Sequence, residues 1–319
     1  NYNGAETIGR CLDAAFKSRY TDFEVIVVDD FSSDNSTAII EKYPCRLIRL
    51  NKHAGASKTR NTGAEHSRGE DLFFIDSDCL LQPDTIAAAA AAHLQEGPEV
   101  IIGGTYTQLP YDQGFFSVFQ SVFIHYSETK NLQNPDYIAT HAMVIGADLF
   151  KKLGGFDEHF MPILEDVEFS HRLKEKGYRL RMNENILVQH IFNFNLVKSM
   201  RNGIRKSKYW SIYSLKNRDL LADSGTASQE FKFNVMSCFI NLVLIVIGLW
   251  FKNWAFVFAV LLLLGVNLYL NRQLIRAFHE TGGTLFATFA LLYYTLVYPF
   301  AVGIGACSGI YSQHFGLRP

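Results

Sequence analysis

Apolar positions recur along the first part of the chain with two alternating periods. From Glu6 to Lys17 they fall at Ile8, Leu12, Ala15 and Phe16, the spacing of one helix face. Phe23 to Val28 is instead a short β-branched run without proline, closed by Asp29, Asp30 and a polar loop, which predicts a buried parallel strand. The alternation continues with helix 34–43, strand 45–50, helix 56–67 and strand 71–75. It then runs through an alanine-rich helix over 86–93, strand 100–105, an aromatic helix over 115–126 and a strand around 142–145. A helix over 164–173 and a strand over 186–190 close the series. Such alternation at short spacing predicts a doubly wound, mostly parallel α/β sheet, whose ligands sit at the carboxyl ends of the strands. Asp29 and Asp30 fall at one such end and Asp76 and Asp78 at another, so two acidic loops can face one cleft.

From Phe231 the pattern changes. The stretches 233–251, 253–271 and 281–317 contain no Asp, Glu, Lys or Arg. Each can supply one crossing of a roughly 30 Å hydrocarbon layer. Three transmembrane helices, about 233–251, 254–271 and 284–306, are the simplest count. Buried helices of a soluble protein are the alternative, disfavoured by three such stretches in succession. Ahead of them Lys198, Arg201, Arg205, Lys206 and Lys208, followed by Tyr209, Trp210 and Tyr213, suit either a membrane interface or a solvated helix face. With Arg272 and Arg276 on the same side, the positive-inside bias puts the N-terminal domain in the cytoplasm, as part of an integral membrane protein. The expected division is 1–197 as an α/β domain, 198–230 as a basic amphipathic interfacial segment and 231–319 as an all-α transmembrane region.

Averages hide this split: over 319 residues the net charge is -1, which gives no support to nucleic-acid binding. The five cysteines are odd in number and scattered, with no Cys-x-x-Cys pair, against a disulfide framework or a zinc site and in favour of reduced thiols facing the cytosol. Asn1-Tyr2-Asn3-Gly4 reads as the loop after a strand, so an N-terminal truncation is expected.

Three clusters carry candidate chemistry. Asp76-Ser77-Asp78 follows an apolar strand, and residues i and i+2 of a strand share a face, so both carboxylates can reach one hard divalent cation; a polar turn is the alternative. Glu165 and Asp166 open a helix, where they either complement its dipole or do chemistry. His190 ends a strand, as a structural residue or a ligand.

Taken in order, these elements resemble the family-2 inverting glycosyltransferases of the GT-A fold over about residues 1–195. The resemblance rests on the Asn-Tyr-Asn start, Val27-Val28-Asp29-Asp30 followed by Ser32 and Asp34, Arg60-Asn61-Thr62-Gly63 and Asp76-Ser77-Asp78. It continues in Gly154-Gly155-Phe156-Asp157-Glu158, Glu165-Asp166 and the late His190. It implies a Rossmann-like GT-A catalytic domain, a nucleotide-sugar donor that is a UDP-sugar, and a lipid-linked or glycan acceptor at a membrane. It implies Mg2+ or Mn2+ held by Asp78, with Asp76 at the ribose or the ion and His190 as a further ligand. Asn3, Asp29, Asp30, Arg60 and Asp76 are then nucleotide-sugar contacts, Asp30 facing the uracil imide and Arg60 the diphosphate. Asp166 is the implied general base, and Glu165 positions the acceptor. The Gln-x-x-Arg-Trp motif of processive members is absent, which implies transfer of a single sugar. Two other readings stand beside this one: a non-catalytic nucleotide-binding subunit or scaffold of a polysaccharide synthesis or export assembly, and a nucleotidyltransferase.

Overall fold

The computed structural model describes residues 1–315; the last four residues of the apolar tail, with Arg318, lie outside the described residues. Residues 1–113 and 128–193 form one compact unit, and residues 114–127 with the chain from Phe194 onward form another.

In the first unit the proline-free apolar runs become strands. The order is α1 (Ile8–Phe16), β1 (Ile26–Asp29), α2 (Ser36–Ile40), β2 (Arg46–Arg49), α3 (Ala56–Glu65), β3 (Asp71–Phe74), β4 (Cys79–Leu81), α4 (Thr85–Glu96) and β5 (Val100–Tyr106). After α5 (Phe115–Thr129), most of which belongs to the second unit, come a 3-10 turn (Thr140–Ala142), β6 (Met143–Gly146), α6 (Ala147–Lys152), α7 (Glu165–Glu175) and β7 (Arg179–His190). β1 and β2 pair in parallel, and a five-stranded sheet has the order β3-β6-β5-β7-β4. Within it β5 and β7 are parallel, while β6 is antiparallel to β3 and β5, and β4 is antiparallel to β7. Phe74, Phe150, Phe156 and Phe169 meet ring to ring at 4.9–5.5 Å beneath the ends of β3 and α7 and give the acidic loops a rigid floor. β4 and the first half of β7 were not expected: three residues are too few for a period, and Arg179, Arg181 and Asn183 make a strand polar on one face.

The second unit is helical: α8 (Leu196–Asn217), α9 (Gln229–Phe251), α10 (Ala255–Leu270), α11 (Arg272–Leu292), a π-turn (Tyr293–Val297) and α12 (Tyr298–His314). Two stretches, Gln229–Phe251 and Arg272–His314, are long and apolar enough to cross a membrane, and Ala255–Leu270 is a shorter apolar helix. The expected helix over 284–306 lies within the second of these stretches and carries a π-turn. Gly283 kinks α11 at φ 74°, and the π-turn precedes Pro299, whose ring cannot accept the regular helix ladder. Lys252, at φ 49°, turns α9 back onto α10.

Polarity in this unit is inverted. Leu249, Trp250, Trp254 and Phe258 are 73–82% exposed, whereas Asn234, Asn267 and Asn271 are buried. These amides form a closed network: Asn267 Nδ2 donates to Asn234 Oδ1 at 2.8 Å, Asn271 Nδ2 to Asn267 Oδ1 at 2.9 Å and the Tyr294 hydroxyl to Asn271 Oδ1 at 2.8 Å. Asn234 Nδ2 completes it by donating to the Tyr294 carbonyl at 2.8 Å.

Candidate active site

The end of β1 is stitched to the opening loop. Asp29 accepts from Ser32 N (2.9 Å), Ser32 Oγ (2.7 Å) and Asn1 Nδ2 (2.8 Å). Asn3 braces the same loop, its Oδ1 accepting from Ser33 N at 2.9 Å. Asp30 accepts from Ala54 N (2.7 Å) and Gly55 N (2.9 Å) and stands 2.9 Å from His53 Nδ1. Both carboxylates are buried, and the three residues hydrogen-bond to the loops at the strand end.

The other expected residues converge. α3 lays Arg60 between carboxylates from distant elements: Nη2 donates to Asp76 Oδ1 at 2.7 Å and Nη1 to Glu165 Oε1. Burial works against the guanidinium charge, but Asp76 and Glu165 outweigh it and raise the pKa of Arg60 further. Burial also works against the Asp76 carboxylate, yet Arg60 holds it below the usual range. Asp78 has no such guanidinium and is pushed up to about 7, by burial first and by Asp76 second.

β4 pairs with β7 so that Cys79 lies opposite His190, which brings His190 Nε2 to 3.5 Å from Asp78 Oδ2. Ligand atoms of Asp78, Cys79 and His190 lie within 4.8 Å of one another. Burial raises the Cys79 thiol well above its ordinary pKa. Beside it stand a carboxylate and an imidazole, with a second carboxylate two residues away. That donor set fits a divalent cation such as Mg2+ or Mn2+.

Leu164 enters α7 in the left-handed region at φ 73°, a strained setting for a bulky residue that costs about 1–3 kcal/mol. The turn sends Glu165 to Arg60 and Asp166 to Thr140, whose N donates to Asp166 Oδ2 at 3.3 Å. Burial, and then Glu165, pushes the Asp166 carboxyl up to about 6, where a general base operates well near neutral pH.

Two neighbours, Tyr106 and Glu128, were not assigned roles from sequence. His141 stacks on Tyr106 at 4.1 Å and places Nε2 3.3 Å from Glu128 Oε2, which accepts from Thr105 Oγ1 at 2.7 Å. Burial lowers the His141 pKa, but Glu128 outweighs it and raises it overall. Tyr106 also meets the His190 ring edge-on at 5.0 Å, linking this dyad to the Asp78 side. An isolated acid at a helix end and an aromatic in a strand give no sequence signal. Asn61 in turn acts as a ladder rung, donating to the Phe156 carbonyl at 2.8 Å and accepting from its N–H at 2.9 Å, which ties α3 to the Gly154-Gly155-Phe156 turn.

Residues 1–152 match the family described as Glycosyl transferase family 2. Glycosyltransferase AglE of Haloferax volcanii is 24% identical over 231 residues, covering 69% of this chain and 75% of that protein. Succinoglycan biosynthesis protein ExoO of Rhizobium meliloti is 36% identical over 88 residues, 27% of this chain and only 25% of its own length. The mannosyltransferase PcManGT from Pyrobaculum calidifontis, solved in complex with GDP-Man and Mn2+, superposes with a TM-score of 0.59 at 17% identity. That superposition covers 100% of this chain and 86% of that one and is a likeness of fold. The mixed α/β unit is thus a GT-A-type glycosyltransferase domain, and the N-terminal region of this chain, matched over residues 1–152, belongs to glycosyl transferase family 2.

Proposed function

We propose that the chain is a membrane-anchored, metal-dependent inverting glycosyltransferase that moves one sugar from a UDP-sugar to a lipid-linked or glycan acceptor. The observation that carries this reading is Arg60, which joins Asp76 to Glu165 and so sets the Asp78 and His190 pair beside the raised carboxyl of Asp166. A cation-binding end and a base-bearing end, held by one guanidinium, suit a reaction in which a diphosphate departs from one side of a carbon while a hydroxyl attacks from the other.

Asp78 and His190 would hold the cation, with Asp76 beside it at the ribose. Bound there, it supplies charge neutralisation for the departing diphosphate without a proton. The protein's own residues do the rest. Asp166 takes the proton of the acceptor hydroxyl as the oxygen attacks the anomeric carbon, which inverts the configuration. Glu165, fixed by Arg60, orients the acceptor and the base. Asn3, Asp29 and Asp30 form the nucleotide side by holding the loops at 32–34 and 53–55 in place. With no Gln-x-x-Arg-Trp sequence after the base, nothing retains a growing product for a second transfer.

The inverted polarity of the helical unit supports attachment to a membrane: large apolar side chains face outward and amides face inward. Lys198, Arg201, Arg205, Arg272 and Arg276 support a cytoplasmic face for the catalytic domain. The functional division is 1–197 catalytic, 198–230 interfacial and 231–319 membrane-embedded.

The test is transfer from labelled UDP-sugars in native membranes. Asp78→Ala and Asp166→Ala should each lower the rate by about 100-fold or more. Undiminished transfer by both variants would sink the assignment.

A further inference from the structure

We infer that α12 does not cross the bilayer but lies flat in its interface beside α8, so that the α9 and α10 hairpin alone crosses and the C-terminus stays on the side of α8. No apolar span separates residues 1–193 from α8, so this is also the catalytic domain's side. The inference rests on the membrane reading above.

α8 and α12 run parallel in continuous contact. A Cβ on Gly203 would meet Tyr298 and Ala301, one on Gly305 the Ile204 carbonyl, and one on Gly309 the Lys208 carbonyl. Between them the Ser207 hydroxyl donates to the Val302 carbonyl at 2.7 Å. Arg201, Arg205, Lys206 and Lys208 therefore come level with the central turns of α12. If α12 stood across the bilayer, α8 would stand with it and carry four cations near mid-depth. On insertion scales one Arg or Lys there offsets about five apolar residues. Four would offset roughly twenty, more than the 17 residues of α12 contain.

Laid flat, the pair has a sensible place for every face. α12 turns Phe300, Ile304 and Tyr311 toward hydrocarbon, and α8 turns Lys198, Arg201 and Arg205 toward anionic headgroups. The segment leading into α12 is held in the same layer. Phe286 packs on Phe115 and Tyr293 on Phe119, and the Tyr293 hydroxyl donates to Ser199 Oγ at 2.9 Å.

The hairpin has the opposite character. α10 has 16 residues, about 24 Å at ~1.5 Å per residue. Trp250, Lys252 and Trp254 at its tip supply the amphipathic anchors that reach the far headgroups.

The experiment places an epitope either between Lys252 and Asn253 or at the C-terminus of the full chain, in sealed inside-out vesicles, with an antibody to residues 1–193 as the reference for sidedness. The C-terminal epitope should be reached from the same face as the catalytic domain, and the 252/253 epitope only after permeabilisation. A C-terminal epitope on the face of 252/253 would overturn the inference, because α11 and α12 would then cross. A 252/253 epitope on the catalytic face would overturn it as well, because the hairpin would not cross. Release of the whole chain by alkaline carbonate is a distinct outcome that removes the membrane reading and this inference with it.

Discussion

Replacing Arg60 by methionine removes the one cation shared by Asp76 and Glu165 while keeping most of the side-chain volume. The Arg60 and Glu165 side chains are 16% and 9% exposed, so that pair is buried, whereas Asp76 at 35% is partly solvated. Stranding a buried carboxylate costs about 3–5 kcal/mol. The solvated Asp76 contact adds well under about 1 kcal/mol once screened. For a domain of this size that is a fall in Tm of about 10 °C. The sign of the pH dependence follows from Asp76, whose folded pKa is depressed by Arg60. Its stabilising contribution is present above the unfolded carboxylate pKa and is lost as pH falls through the folded value. Arg60→Met lacks that contribution at every pH, so its gap to the parent closes only as pH falls through the folded pKa of Asp76. Melting curves of the purified protein should therefore show a wide gap at pH 8 and a narrower one at about pH 3, below the ordinary carboxylate range. A gap of under about 2 °C at pH 8, or one that is equal at both pH values, would refute the account.

Three further outcomes are expected. Transfer should fall about tenfold per pH unit below about 6, as the raised carboxyl of Asp166 takes up the proton that a base must lack, and Asp166→Asn should flatten that limb while lowering the rate. Glu128→Gln and His141→Gln, combined in a double-mutant cycle on thermal stability, should show a coupling of about 1–3 kcal/mol, and additive effects would mean that the two side chains act separately. Asn267→Leu removes two side-chain hydrogen bonds from the buried amide network and should lower the stability of the helical unit by about 1 kcal/mol, whereas Asn253→Leu at the exposed turn should not.

Much of the fold was written in local periodicity. The β-branched run before Asp29 and the helical spacing from Ile8 to Phe16 need no partner to be recognised. Contacts between distant residues were less legible. Asp78 and His190 are 112 positions apart and meet only because a three-residue strand folds back onto β7, a pairing too short to leave a period. Asp29 and Asp30 illustrate the converse: a strand-end carboxylate looks alike in sequence whatever it faces, and its partners, the N–H groups of residues 32, 54 and 55, are visible only in the fold. The π-turn before α12 accompanies Pro299, yet hydropathy alone reads through it because its neighbours are mostly apolar. Glu128 was invisible, since its meaning depends on Thr105 and His141, which the sheet brings to it.

The close seam between α8 and α12 makes a statement about heredity. At Gly305 and Gly309 any side chain would begin inside a backbone carbonyl of α8, which cannot swing aside as a side chain would. Along a helix otherwise tolerant of one apolar residue for another, a saturation library selected for function should keep glycine at these two positions and drift freely at Ile304 and Ile310, which face outward. Two hydrogen atoms, more than any large residue of the tail, determine which descendants of this sequence can still fold.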